Sequence, residues 1–547
     1  MLLIAICSSA STPYCVLSGS TLTFYYDDLM SSRSGTKYDL VYSNDQPKWV
    51  AKASSVTSVV FDPSFVDARP TDGSCWFYNM SKLTSIQGLS NLNTSEMTSM
   101  ASMFYKCSSL TSLDLSSFDT QNVNNMAGMF YNCSKLTQLN IGNFKTGKVV
   151  RMNGMFSGCS SLTSLNVSNW DVSHVETMNV MFRSCNNLTT LDVSNWNTSA
   201  LLNIGYMFYQ CNELQTIDVS DWDVSNVANC HYAFFGCTNV KQLDVSNWNT
   251  PQFVDTSYMF FNCTSVKTLD VSNWDMSAVY STDNMFNNCT SLTTLNMTGW
   301  VTDNLEEMSK MFSDCSSLTT VDVSHFNTSR ITNMTSLFNN CSSLTSVDVS
   351  NWDVSKVTDI SYMFHNCKNL TSINVANWNT GKVNNMISLF DGCSSLEELD
   401  LSKWTVKNAQ YGYSMFYNCS KLAKLSVPAS MESLQTSACS GVGTTAKPCL
   451  LIVPSDFTFD PELDTTGDYF LWCSGYFKLQ RKYYMGDVNH DGIVNITDVV
   501  MCVDFVLGDV PGNFFEDRAD MNGDGIVNIT DVVIMVDTVL DAIPLTY

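Results

Sequence analysis

Residues Cys107–Asn132 read CSSLTSLDLSSFDTQNVNNMAGMFYN, and the next residue, Cys133, begins the same pattern again. The interval of 26 is kept through thirteen cysteines: Cys107, Cys133, Cys159, Cys185, Cys211, Cys237, Cys263, Cys289, Cys315, Cys341, Cys367, Cys393 and Cys419. A fixed period of this length is the mark of a repeat architecture. Within the unit, Leu113 and Leu115 alternate with Asp114 and Ser116. That is the period-2 pattern of a strand with one buried face. An aromatic closes each strand segment, as at Phe118, Phe144, Trp170, Trp196, Trp222, Trp248, Trp274, Trp300, Phe326, Trp352, Trp378 and Trp404. An apolar residue follows near Val123, Val149 and Val175. A Met-Phe pair such as Met103-Phe104 or Met129-Phe130 then suits a short helical turn into the next cysteine.

One such unit cannot bury its own apolar positions, whereas stacked units form continuous ladders of Leu, Trp, Val, Phe and Cys. The expected fold is therefore an α/β repeat solenoid, a leucine-rich-repeat-like stack of strand plus short helical turn. A degenerate first repeat is expected one residue out of register, with Phe77 and Met80 in the Phe and Cys positions. The ladder cysteines share one inward position and point in parallel, which favours buried free thiols over disulfides. Cys439 and Cys449, lying outside the ladder, are the better candidate pair for a disulfide. The Trp ladder closes an inward-alternating strand and is read as core, with a sugar-stacking platform as the alternative.

The unit beginning CSSLTSLDLSSF resembles the repeats of BspA-like leucine-rich-repeat surface proteins over roughly residues 60–430. STLTFYYDD and VVFDPSFVDARP upstream resemble the entry cap of such proteins, and SVPASM through CLLIVPSDF the closing cap. The resemblance implies a secreted or cell-surface bacterial protein that binds or adheres rather than catalyses. Ligands vary within that family, so the resemblance names no partner; a host-surface protein or glycan is the expected ligand. The expected domains are a truncated signal segment at 1–11, an N-terminal cap at 12–80, a solenoid at 81–430 and a closing cap at 431–485. A separate module occupies 486–547.

Composition narrows the function. Of 547 residues, 44% are hydrophobic and 12% aromatic, enough for a large core. Against 28 Lys and Arg stand 52 Asp and Glu, a net charge of −24 that repels phosphate backbones, so no nucleic-acid partner is expected. No apolar run is long enough for a transmembrane segment. The outward strand position carries Asp114, Asn140, Asn166, Asp192, Asp218, Asp244, Asp270, Asn296, Asp322, Asp348, Asn374 and Asp400. Stacked carboxylates repel unless hydrated or bridged. The row reads either as a solvated face or, at Asp192, Asp218, Asp244 and Asp270, as a candidate ligand face for cations or a polar glycan. The histidines His174, His231, His325, His365 and His490 are scattered, and no catalytic motif appears. A secreted enzyme would have to assemble its site across several repeats.

The nonapeptide GIVNITDVV occurs at Gly492–Val500 and again at Gly525–Val533. Extended upstream, the copies are DVNHDGIVNITD (487–498) and DMNGDGIVNITD (520–531), two twelve-residue calcium loops 33 residues apart. Oxygen ligands fall at Asp487, Asn489, Asp491, Asn495 and Asp498, and at Asp520, Asn522, Asp524, Asn528 and Asp531. The main-chain carbonyls of Ile493 and Ile526 complete each set. Calcium takes six to eight hard oxygens, and Gly492 and Gly525 permit the sharp turn between them. Asp instead of Glu closes each loop, and an apolar helix follows it. In these features residues 486–547 resemble a type I dockerin, a small all-α module. The resemblance implies two calcium ions, a cohesin partner read through Ile496, Thr497, Ile529 and Thr530, and a link to polysaccharide catabolism. Identity of the two copies suits docking in either of two orientations; recent duplication, or a calcium-stabilised cap with no cohesin partner, are the alternatives.

Overall fold

The structure is a computed structural model that describes residues 11–40, 46–406, 412–428, 431, 438–454, 470–482, 485–489 and 494–541. The chain forms two compact units, residues 1–331 with 337–344, and residues 332–336 with 345–547. Most of the expected signal segment lies outside the described residues.

The first unit opens on a five-stranded sheet of β1 (Tyr14–Ser18), β2 (Thr21–Tyr25), β3 (Thr36–Asp39), β4 (Ser58–Phe61) and β5 (Ser85–Gln87), ordered β3-β1-β2-β4-β5. Antiparallel pairing of β1 with β2 and β3 gives way to parallel pairing of β2 with β4 and β4 with β5. The cap therefore converts a hairpin into a parallel stack, whose period the repeats continue. Phe24 stacks on Phe61 and Trp76 inside it, with ring centroids 4.7 and 5.2 Å apart. The expected irregular first repeat is present: Met80 and Phe77 are fully buried, and Phe77 stacks on Phe104 at 5.0 Å.

Among the described coils, several pair in short parallel strands of two or three residues: β6 (Ser112–Asp114) with β7 (Gln138–Asn140), β8 (Ser164–Leu165) with β9 (Thr190–Leu191), and β10 (Thr268–Asp270) with β11 (Thr294–Asn296). The register pairs residues 26 apart, Leu113 opposite Leu139 and Leu269 opposite Leu295. The Met-Phe segment is built from successive tight turns where a short helical turn was expected. Met103, Tyr105 and Cys107 donate to the carbonyls of Met100, Ser102 and Phe104, with Ser102 and Lys106 between them in left-handed conformation at φ 56° and 58°. These residues leave the favoured region because every second amide is then turned toward the next coil. Ser102, Phe104 and Lys106 donate to Ala127, Met129 and Tyr131 at 2.8, 2.8 and 2.6 Å. A helix would have spent those amides within its own coil.

The core lies between these two ladders. Trp196, Trp222, Trp248 and Trp274 are at most 3% exposed, and each indole N–H donates to a valine carbonyl of the preceding coil, Trp248 to Val219 at 2.9 Å. The Trp ladder is core, as its position in the alternation requires. The ladder cysteines are buried free thiols. Cys133 donates to the Phe104 carbonyl at 3.1 Å, and Cys393 does the same to Phe364 in the second unit. Burial pushes the Cys133, Cys185 and Cys289 thiols up to about 12. A buried Thr row, including Thr120 and Thr146, braces the corner after each aromatic. Thr120 donates to the Lys145 carbonyl at 3.0 Å and accepts from its amide at 2.7 Å.

In the second unit β12 (Glu398–Asp400), β13 (Lys424–Ser426), β14 (Cys449–Pro454), β15 (Phe470–Trp472) and β16 (Gly475–Lys482) form a sheet ordered β12-β13-β14-β16-β15. Only the β15–β16 pair is antiparallel, closing the parallel stack with a hairpin. The disulfide expected between Cys439 and Cys449 is not formed; both are free thiols. Cys449 opens β14 with its thiol toward the Leu450 carbonyl at 3.9 Å, whereas Cys439 donates its amide to the Cys473 carbonyl at 2.9 Å. The tail carries α1 (Ile496–Val506), α2 (Glu516–Ala519) and α3 (Ile529–Asp541). Among the described residues no helix is long and apolar enough to cross a membrane.

Candidate functional site

Two places in the molecule combine exposure with organised chemistry. The first is a groove of ≈ 770 Å³ over the strand face of the first unit, lined by Asn166, Asp192, Asp218 and Asp244 together with Thr190, Thr216 and Gln242. Three of the four carboxylates expected to form a ligand face line it, and Asp270 does not. The alternation that buries Leu165, Leu191 and Ile217 turns the neighbouring acids outward. Each acid is tied to the serine two residues on: Asp192, Asp218, Asp244 and Asp270 all accept through Oδ1 from the amide and hydroxyl of Ser194, Ser220, Ser246 and Ser272. The serine hydroxyl and then its amide hold the Asp218 and Asp270 carboxyls below the usual range. The groove therefore presents fixed anionic oxygens beside threonine hydroxyls. The Asp-x-Ser spacing that rigidifies these acids is a sequence signal the alternation pattern alone does not weigh.

The second place is the tail. Its small core is formed by Val488, Val499, Cys502, Ala519, Val532 and Met535. Val499 and Val532, and Cys502 and Met535, are corresponding positions of the two copies. The adjacent valines of each nonapeptide thus divide, with Val499 and Val532 6% exposed while Val500 and Val533 are 51% and 54% exposed. Ile496 and Ile529 are exposed to 65% and 63%. Thr497 and Thr530 are exposed beside them, and Leu507 and Leu540 extend the same spacing toward the helix ends. The matched faces of α1 and α3 therefore hold more apolar residues than the four read from the loops. The signal was present as the i, i+4 spacing of each helix.

Calcium fits the second loop by donor chemistry. Asp531 is fully buried and accepts from the Asn522 amide at 3.2 Å and the Asn528 amide at 2.9 Å. Asp520 accepts from Gly523, Asp524 and Gly525, the last at φ 83°. Asn522 donates to Asp524 at 3.0 Å, and Asn528 to the Ile526 carbonyl at 3.1 Å. All six expected donors belong to this one hydrogen-bonded loop. Among the described residues no basic side chain pairs with Asp520, Asp524 or Asp531, so their charge calls for a cation. Among the described residues no three His, Cys, Asp or Glu side chains are grouped so as to hold a metal ion. In the first loop Asp498 is buried at the start of α1, accepting from Asn489 at 3.3 Å and Asn495 at 2.9 Å. Asn495 caps α1 through Thr497 N–H at 2.7 Å. Asp487 is buried against Arg518, whose Nη1 donates to its carbonyl at 3.2 Å. Asp491 and Ile493 lie outside the described residues.

Known proteins match both parts. A family described as "Mycoplasma protein of unknown function, DUF285" matches overlapping stretches at 71–191, 135–242, 177–294, 213–321, 255–372 and 338–437. "Dockerin type I domain" matches 485–540. No curated protein sequence matches the chain. Among solved structures, a leucine-rich repeat protein from Bacteroides ovatus is similar at 15% identity, over 77% of this chain and 94% of that one, with a TM-score of 0.34. One from Eubacterium ventriosum is similar at 18% identity, over 70% and 93%, with a TM-score of 0.30. The functional domain of InlJ from Listeria monocytogenes, described as including a cysteine ladder, is similar at 16% identity, over 60% and 71%, with a TM-score of 0.20. With the family's repeats running through most of its length, the chain belongs to the DUF285 family of BspA-like leucine-rich-repeat proteins and carries a type I dockerin domain.

Proposed function

We propose that this is a non-enzymatic binding protein of the bacterial surface or exterior, held in place by its dockerin and presenting its solenoid to a ligand. Type I dockerins bind calcium, and here two ions order the loops at 487–498 and 520–531. A cohesin module then covers the exposed faces of α1 and α3. The observation that carries this reading is the near-equal exposure of Ile496 and Ile529, and of Val500 and Val533, on helices whose other faces share one core. Matched apolar residues left in water on both copies mark a contact surface. The groove at Asp192, Asp218 and Asp244 serves a cationic or polyhydroxylated ligand, consistent with a glycan or protein of a host surface.

The test is retention of the full chain on immobilised type I cohesins with calcium and with a chelator. Calcium-dependent retention by at least one cohesin is expected. No retention by any cohesin encoded with this chain, with the tail folded around calcium, would reduce the module to a terminal cap. For the groove, an Asp192→Asn, Asp218→Asn, Asp244→Asn variant is expected to lose glycan-array or host-extract binding while keeping its cohesin affinity.

A further inference from the structure

The hairpin that ends the closing sheet turns through Cys473 and Ser474, between Trp472 and Gly475. Both turn residues are left-handed, at φ 50° and 67°. A two-residue hairpin turn of this hand favours Asn, Asp or Gly, because a Cβ is strained there. A cysteine in the first position needs another reason to be present. Cys439 supplies one. Its amide donates to the Cys473 carbonyl at 2.9 Å, and burial, then the neighbouring Cys473 thiol, push the Cys439 thiol up. A Cβ built on Gly475 would stand 2.8 Å from the Cys439 carbonyl oxygen and 3.0 Å from its Cβ, so the turn sits directly against Cys439. Main chains joined by such a hydrogen bond lie within the separation a disulfide spans. The other thiols near Cys439 are engaged elsewhere, Cys419 with the Phe390 carbonyl at 3.1 Å and Cys449 with that of Leu450.

We propose that Cys439 and Cys473 are a disulfide-forming pair that locks the closing hairpin onto the end of the stack when the protein meets an oxidising small-molecule disulfide. Cys473 is partly exposed and Cys439 is fully buried, which sets the order of events. The Cys473 thiolate attacks the small disulfide, forming a mixed disulfide and releasing one small thiol. The Cys439 thiolate then attacks the Cys473 sulfur and displaces the second small thiol. The two protein thiols lose two protons and two electrons, and the small disulfide takes them up as two thiols.

The experiment equilibrates the full chain with oxidised glutathione, blocks remaining thiols with iodoacetamide under denaturing conditions, and maps the peptides without reduction. A Cys439–Cys473 cross-linked peptide is expected, with the thirteen ladder cysteines alkylated. A Cys473 that ends alkylated, holds glutathione, or joins Cys449 or Cys419 would overturn the proposal. Thermal melting of the oxidised and reduced full chain gives a second readout. Oxidation is expected to raise the transition that exposes β14–β16, and C473S is expected to abolish that shift. A shift of equal size in C473S would assign it to other thiols and overturn the proposal.

Discussion

Replacing Ile496 and Thr497 together by glutamate leaves the second reading surface, Ile529 and Thr530, untouched. The perturbation is mild for the fold. Both side chains are exposed, and the capping bond at this end of α1 uses the Thr497 main-chain N–H, not its hydroxyl. Added carboxylates in a first helical turn also suit the helix dipole. If the cohesin accepts either orientation, losing one of two equivalent modes halves the association constant, about 0.4 kcal/mol. I529E with T530E has the same small effect, because Ile496 and Ile529 differ by only two points in exposure, 65% against 63%. Combining all four substitutions removes both modes. Each orientation then loses roughly 1–2 kcal/mol from the unburied isoleucine. Each also meets a carboxylate with no partner in a desolvated contact, about 2–5 kcal/mol more. A total of at least about 3 kcal/mol weakens binding more than a hundredfold. The cycle is therefore strongly non-additive, by roughly 2 kcal/mol or more. Calorimetric titration of the cohesin into the four proteins at saturating calcium measures it, with calcium content checked in each. Loss of binding in either two-residue variant alone would refute the dual orientation and leave the doubled nonapeptide as a record of ancestry or folding.

Chelating calcium is expected to unfold residues 486–541 while the repeats keep their transition, so calorimetry should show one of two transitions disappear; a chelator-insensitive profile would contradict independent calcium-dependent folding. Trp248→Ala should lower repeat stability by about 3–5 kcal/mol in urea unfolding, as for other buried aromatics. Trp248→Phe should cost only about 1–2 kcal/mol for the lost donor to Val219, because Phe326 already stacks on Trp300 at 5.9 Å in the same position; equal losses in the two variants would refute the share assigned to ring packing. Asp283 is pushed up to about 6 chiefly by burial, with Glu307 and Asp255 adding and the Ser309 amide and Lys310 opposing. Its folded value is thus above the 3.8 of an unperturbed aspartate, so stability present below 3.8 is lost as pH rises through about 6. Asp283→Asn should therefore stabilise the first unit at pH 7 by about 1 kcal/mol, allowing for solvent screening of a half-buried group, and not at pH 3.5; equal gains at both pH values would refute the ionisation argument.

How much was legible in the sequence depended on how local the governing interaction is. A 26-residue period places each residue against its own counterpart, so the Trp, Leu and Cys ladders and the parallel register followed from spacing alone. The calcium loops were legible for a similar reason, since their donors lie within twelve consecutive residues. The Met-Phe segment was not: its pattern suits a helical turn, and only stacking shows that Ser102, Phe104 and Lys106 spend their amides on the next coil. The outward acids were visible, but which of them line a groove was decided by the folded coils, which leave Asp270 out. The tail showed its symmetry in the doubled nonapeptide, yet the fate of each valine was decided by packing, Val499 and Val532 into the shared core and Val500 and Val533 into water. The closing cap was least legible. It has no repeat to constrain it, and Cys439 was paired with Cys449 only because both lie outside the ladder. The hairpin between β15 and β16 instead carries Cys473 back onto Cys439, a meeting of residues distant in the chain that only its folded path could determine.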